Sequence, residues 1–342
     1  MKGWQMKGNE ATMLDMVMGL PEQMAEALER SGKARLGRIP RPQGVTVAGM
    51  GGSAIGGDLA RDLLRTESPV PIATNRDYAV PASLGPRSLF VAVSYSGNTE
   101  ETLSAYRAAR RSGCTVAVIS SGGRLAASAR RSRLPLVTVP GGFPPRAALG
   151  HLFVSLLVLL ERAGLLHRVE RRVGEAVSLM VGRRQAWRRR AKLIAKRLRG
   201  RLPVVYSTAR LLDAVADRWR CQLNENAKVV CHTNRLPEHN HNEVVGMGRP
   251  GFLAERTAIV SLLDRGTHRR TALRLKNVLS IAGGGYADAQ TLQSEGRGSL
   301  ARMMSLVMLG DLASVELAGQ TGVDPLPVAR IDELKRRLAR AK

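Results

Sequence analysis

The chain has 342 residues, 44% of them hydrophobic, with glycine and proline spread along its length; this excludes a disordered or low-complexity protein and suits one large domain or two of ordinary size. Aromatics make up only 4%, so the core must rest on Ala, Val, Leu, Ile and Met. The formal net charge is +25, with 44 Arg against 9 Lys; that balance favours anionic partners, whether nucleic acid, anionic membrane or phosphorylated small molecules.

The first half alternates two periodicities. Residues 45–48 form a short apolar run ending in glycines and predict a buried strand. A helix follows over 55–64, then a short strand at 71–73 and a stronger one at 89–93. Residues 99–111 read as a helix, 115–119 as a strand, 125–130 as a short helix and 134–139 as a strand. A long apolar helix spans 147–163. A charged helical stretch over about 169–199 bridges to the second half. There, 203–206 predicts a strand, 209–224 a helix with a mixed face, 229–231 a short strand and 258–263 a clear one. Helices follow at 267–278 and 300–319, and a short basic helix at 328–338 comes after Pro325 and Pro327. Strands that alternate with helices and are continuously apolar predict an α/β fold with mainly parallel sheets covered on both faces. The two halves share a plan, which divides the chain into domains 1–165 and 166–342.

Cys114, Cys221 and Cys231 are too few for a disulfide framework and lack metal-ligand spacing, so they read as reduced thiols. The start, Met1-Lys2-Gly3-Trp4-Gln5-Met6-Lys7, has no apolar stretch of a secretory leader. The most apolar window, 152–160, ends at Glu161-Arg162 and is too short to span a bilayer. A soluble cytoplasmic protein is expected. In the Arg-rich run 183–201, Leu193, Ile194 and Leu198 recur at helical spacing, so the charges read as a solvated helix face. No helix-turn-helix is evident before residue 45, which argues against nucleic acid as a partner despite the charge.

Two loops carry chemistry. Gly49-Met50-Gly51-Gly52-Ser53-Ala54-Ile55-Gly56-Gly57-Asp58 lies between a strand and a helix, where glycines let backbone N–H groups approach an anion. It fits a dinucleotide fingerprint poorly in register, and a plain tight turn is an equal reading. Ser94-Tyr95-Ser96-Gly97-Asn98-Thr99 is also a strand-to-helix turn. Its hydroxyls and free N–H groups can surround a phosphate. A capping box at Thr99 would account for one hydroxyl and leave Ser94 and Ser96 unexplained.

With their neighbours Glu100, Glu101 and Thr102, these loops resemble those of the sugar isomerase (SIS) domain. Gln222-Leu223-Asn224-Glu225-Asn226-Ala227-Lys228, Asn240-His241-Asn242-Glu243-Val244-Val245-Gly246 and Pro144-Pro145-Arg146-Ala147-Ala148-Leu149-Gly150 sharpen this. They resemble segments of the bifunctional phosphoglucose/phosphomannose isomerase family, and the resemblance runs from about residue 49 to the C-terminal tail. It implies two three-layer α/β/α SIS-type domains, the second carrying the catalytic Glu and His. The implied reaction interconverts glucose 6-phosphate, and mannose 6-phosphate, with fructose 6-phosphate through a cis-enediol, as in glycolysis and gluconeogenesis. It implies no organic cofactor and no metal. Glu225 matches the proton-shuttling carboxylate, His241 the ring-opening histidine, Arg146 the arginine that steadies the enediolate and Lys335 a C-terminal active-site lysine. Gly52, Ser53, Ser94, Ser96 and Thr99 match the phosphate ligands. His239 competes with His241 on residue type, and the family pattern favours His241. The resemblance further implies a homodimer whose active site takes its histidine from the neighbouring subunit. An isomerase of another sugar phosphate, and a sugar-phosphate-binding regulator without catalysis, stand as alternatives.

Overall fold

The computed structural model describes residues 12–34, 36–208, 210–281 and 285–340. The Met1–Lys7 segment and Ala209, the first residue of one predicted helix, lie outside them.

The first sheet is built from β1 (Gly44–Ala48), β2 (Ile72–Asn75), β3 (Ser88–Val93), β4 (Thr115–Ser120) and β5 (Leu136–Thr138), in the order β2-β1-β3-β4-β5. Every pairing is parallel. The second sheet contains β6 (Leu202–Ser207), β7 (His232–Arg235), β8 (Thr257–Leu263) and β9 (Asp288–Gln293), in the order β7-β6-β8-β9, again all parallel. β6 and β8 hold the central places that β1 and β3 hold in the first sheet. The expected α/β architecture is therefore present, and it is laid down twice.

Twelve α-helices among the described residues cover these sheets. α1 (Met13–Met18) and α2 (Leu20–Lys33) precede the first strand. α3 (Gly51–Leu64), α4 (Glu100–Arg111), α5 (Gly123–Arg131) and α6 (Leu149–Arg162) belong to the first sheet, and α7 (Val169–Leu198) leads to the second half. There, α8 (Asp213–Asn226), α9 (Gly251–Ala254), α10 (Arg269–Ile281) and α11 (Ser299–Gln320) follow, with α12 (Ala329–Arg340) at the end. One continuous apolar core joins the inner faces of both sheets through α2, α3, α6, α7, α8 and α11. A smaller core lies under α4 and α5, and another under α10. Both sheets are thus covered on both sides, as continuously apolar strands require.

Several expectations need correction. The strand expected at 229–231 is irregular, with Val230 76% exposed, and pairing begins at His232. β9 was not anticipated. Nor were α1, whose Thr12 and Asp15 form a reciprocal capping box, and α2, which packs on α6. The helix expected over 147–163 is a 3-10 turn, Pro145–Ala147, followed by α6. In α7, Ile194 and Leu198 are buried as expected, but Leu193 is 64% exposed. The charged face of α7 is also less free than its sequence suggests. Arg172, Arg183, Arg184, Arg188 and Arg197 pair with Glu67, Glu295, Glu22, Glu316 and Asp288 from elsewhere in the chain. Among the described residues, no helix is long and apolar enough to cross a membrane.

Candidate active site

In a parallel α/β sheet the loops at the carboxyl ends of the strands gather beside the N-termini of the following helices. Here the loops after β1 and β3 do so. Helix α3 starts at Gly51 and α4 at Glu100, and neither is capped by a side chain. Their first N–H groups are left for an anion, with the helix dipoles behind them.

The serine loop is fixed by its own hydroxyls. Ser94 Oγ lies 2.9 Å from Thr99 Oγ1 and accepts from Gly97 N at 3.1 Å. Thr99 stands at the N-cap of α4, but its hydroxyl bonds Ser94 and caps no helix N–H, so the capping box does not form. Ser96 is exposed and accepts from Asn98 N at 3.3 Å. Gly97 has φ +68°, and a Cβ there would lie 1.9 Å from the carbonyl oxygen of Gly122. Only glycine fits the left-handed turn and the close approach to the start of α5.

The two loops are tied together. Ser53, buried in the first turn of α3, accepts from Tyr95 N at 3.2 Å. Gly52 lies so close to the next segment that a Cβ would sit 2.7 Å from Pro145 O and 2.9 Å from the Arg146 Cα. Its missing side chain brings Arg146 against the helix start. Gly52, Ser53, Ser94, Ser96, Thr99 and Arg146 therefore form one contiguous rim.

Arg146 is 4% exposed and more than half committed. Its Nε donates to Asn226 Oδ1 at 2.7 Å, and Nη2 donates to the carbonyls of Pro325 and Leu326 at 2.6 and 2.9 Å. Three of five N–H donors are spent; Nη1 keeps two, facing Glu225 Oε2 at 3.6 Å. Burial lowers the Arg146 pKa from its ordinary value and Glu225 raises it; burial is the larger effect. Glu225 lies in the last turn of α8, one residue before its end, with a quarter of its side chain exposed. Lys228 Nζ donates to the Glu225 carbonyl at 2.5 Å. A groove of about 660 Å³ opens beside Glu225 and Lys228, closed on the other side by Pro327, Val328 and Ile331.

Behind this pair lies a polar network that sequence reasoning missed. Arg218 on α8 makes a buried bidentate pair with Asp311 on α11, at 2.9 and 2.6 Å, and donates to the Arg146 carbonyl at 3.0 Å. Asn226 Nδ2 donates to Ser314 Oγ at 2.9 Å. Arg218, Gln222, Glu225 and Asn226 recur at helical spacing on α8; that spacing was the available signal for a shared face.

His241 and Lys335 are not brought to this rim. His241 is exposed at the end of the 3-10 turn Glu238–His241, and no hydrogen bond of its side chain occurs among the described residues. His239 is fully buried and packs edge-on against Tyr206, with ring centroids 4.6 Å apart. Of the two competing histidines, only His241 faces outward. Lys335 is exposed on α12, a helix with no buried residues.

The second sheet offers a loop in the same place, after β8, but fills it. Asp264, 6% exposed, accepts from Gly266 N at 2.8 Å and Ser294 Oγ at 2.7 Å, and pairs with Arg302 Nε at 2.8 Å.

Comparison with known proteins gives the family. Residues 188–338 match a family described as the bacterial phospho-glucose isomerase C-terminal SIS domain. The bifunctional phosphoglucose/phosphomannose isomerase of Caldicellulosiruptor bescii is 37% identical over 338 residues, covering 96% of this chain and all of the relative. The chain belongs to the bifunctional phosphoglucose/phosphomannose isomerase family. A second member of the family, from Aquifex aeolicus, is 35% identical over 298 residues, covering 86% of this chain and 90% of its own. In fold, the chain resembles the C-terminal domain of glucosamine-fructose-6-phosphate aminotransferase from Francisella tularensis, with a TM-score of 0.71 at 16% identity, covering 93% of this chain and 98% of that one. Family membership makes the chain an isomerase.

Proposed function

We propose that the chain interconverts glucose 6-phosphate, and mannose 6-phosphate as a second aldose, with fructose 6-phosphate by aldose–ketose isomerisation through a cis-enediol. The observation that carries this reading is the opposition of Arg146 Nη1 and Glu225 Oε2 across 3.6 Å, beside two uncapped helix starts. A phosphate held by Gly52, Ser53, Ser94, Ser96 and Thr99 anchors the sugar, and this remote binding energy holds C1 and C2 in place. Glu225 moves the proton between C2 and C1. The two free N–H groups of Arg146 Nη1 meet the oxyanion of the enediolate, in a buried setting where fixed donors act strongly. The two aldoses differ only at C2 and share one enediol, so one carboxylate serves both. His241 opens the sugar ring. Because it is exposed and bonded to no residue of the rim in its own chain, the reading includes a homodimer in which the neighbouring subunit supplies it. Lys335, exposed on α12, is read as the C-terminal lysine of the site. The same reading divides the chain at the turn between α6 and α7, into domains 1–165 and 166–342, and puts the protein in the cytoplasm.

The test is a coupled assay of fructose 6-phosphate formation from each aldose. Glu225→Gln is expected to lower kcat for both sugars by about 10²–10⁴, the usual cost of a lost general base. Turnover near wild type with either sugar would overturn the assignment of Glu225.

A further inference from the structure

A ring-opening histidine must be held to a fraction of an ångström, yet His241 ends a single short 3-10 turn outside the helices and strands of the fold. Its neighbours two residues before and two after both lock onto one buried side chain. His239 packs its ring edge-on against Tyr206, and the Tyr206 hydroxyl donates to Glu243 Oε1 at 2.6 Å. Tyr206 lies on the central strand β6 and is 3% exposed. The other Glu243 oxygen accepts from Asn234 Nδ2 at 2.5 Å and faces His232 Nε2 at 3.0 Å, both on β7. Asn242 braces the loop internally: its Oδ1 accepts from Glu243 N at 2.6 Å, and its Nδ2 donates to Glu238 Oε1 at 2.9 Å. Burial works against the Glu243 charge, but the bonds from Tyr206, Asn234 and His232 outweigh it and hold the carboxyl below its ordinary value. An ionised acceptor makes these bonds stronger than neutral ones.

We propose that Tyr206 and Glu243 are positioning residues for ring opening: they clamp the backbone on either side of His241 to the second sheet and fix its imidazole pointing outward. The proposal rests on the reading of His241 above. It also explains the neighbouring histidine, since His239 is spent as half of the clamp.

Enzyme-catalysed exchange between the anomers of glucose 6-phosphate isolates ring opening and can be read by NMR. It is measured on the full chain for wild type, His241→Asn, Tyr206→Phe, Glu243→Gln and the double variant His241→Asn/Tyr206→Phe. Binding of an open-chain hexitol 6-phosphate is measured in parallel by calorimetry. Tyr206→Phe keeps the ring against His239 and removes only the hydroxyl, so it remains informative if Glu243→Gln does not fold. The single clamp variants are expected to lose anomer exchange by up to an order of 10²-fold, the scale of a small misplacement at a reacting centre. Binding of the open-chain ligand should be unchanged, and the double variant should be no slower than His241→Asn alone. Loss of exchange in His241→Asn without loss in either clamp variant overturns the clamp. So do additive losses in the double variant, or weakened binding of the hexitol phosphate. Full exchange in His241→Asn overturns the reading of His241, and the clamp with it.

Discussion

Arg146 gives the clearest account of how a single side chain is prepared. A buried guanidinium without partners would be very costly, and one with every donor satisfied would be inert. Here Asn226 and the carbonyls of Pro325 and Leu326 satisfy one edge, leaving the Nη1 edge toward Glu225. None of this was legible in the sequence, where Arg146 stood out only by resemblance to a family segment; its partners lie 80 and about 180 residues away. The serine loop was more readable, because strand, hydroxyls, glycine and helix follow one another locally. Gly97 can be tested directly. A methyl group at φ +68° and 1.9 Å from Gly122 O cannot be accommodated without moving the loop. Gly97→Ala should therefore raise KM for glucose 6-phosphate by about tenfold or more, equivalent to about 1.4 kcal/mol. Calorimetric titration of the same variant should show the same weakening.

At the level of elements, legibility followed burial. Strands β1, β3, β4, β6 and β8 were read close to their observed bounds, because apolar residues fill both faces. Among the strands, the failures are the two edge strands of the second sheet: β7, sequence HTNR, is expected three residues early, and β9, sequence DAQTLQ, is missed. Edge strands bury little and tolerate polar residues on both faces, so their pairing partner defines them more than their composition does. Helix contacts were equally hidden. Gly310 on α11 is a glycine because Trp219 of α8 lies across it: a Cβ would fall 2.2 Å from the indole Nε1, which donates to Leu306 O at 2.8 Å. Since α8 carries Glu225 and Arg218, this contact helps set the height of the Glu225 carboxylate above the rim. Gly310→Ala should overpack the interface and cost about 1–3 kcal/mol of stability. A shift in the urea midpoint with an unchanged slope would record it.

For the molecule as a whole, two buried ionisable groups act in opposite directions on stability. Burial pushes Asp62 up to about 6, against the opposing pull of Arg61 and Ala214 N. Its folded pKa exceeds the unfolded value of 3.8, so the folded chain holds the extra proton. This group's contribution is present at low pH and is lost as pH rises from about 4 through about 6. Burial pushes His151 down to about 4 from 6.5, with smaller and opposing effects from Glu26 and Arg30. Its contribution is present above 6.5 and is lost as pH falls toward 4. The two slopes offset each other in wild type between about pH 4 and 6. Asp62→Asn should expose the acid sensitivity due to His151, and His151→Gln should expose the opposite slope. Each isolated slope amounts to about 2–3 kcal/mol across its window, measurable by denaturant unfolding at several pH values.

Asp264 bears on how many ligands such a chain can hold. A fold laid down twice offers two equivalent cradles, and both would attract the same anion if both were vacant. The second one brings its own anion: a side-chain carboxylate takes the N–H of Gly266, the hydroxyl of Ser294 and the guanidinium of Arg302. On the function proposed above, the two similar sheets divide the labour: the loops of the first grip the substrate, and the second, neutralised from within, carries Glu225, the His241 loop and their supports. Titration with sugar phosphate should accordingly saturate at one equivalent per chain.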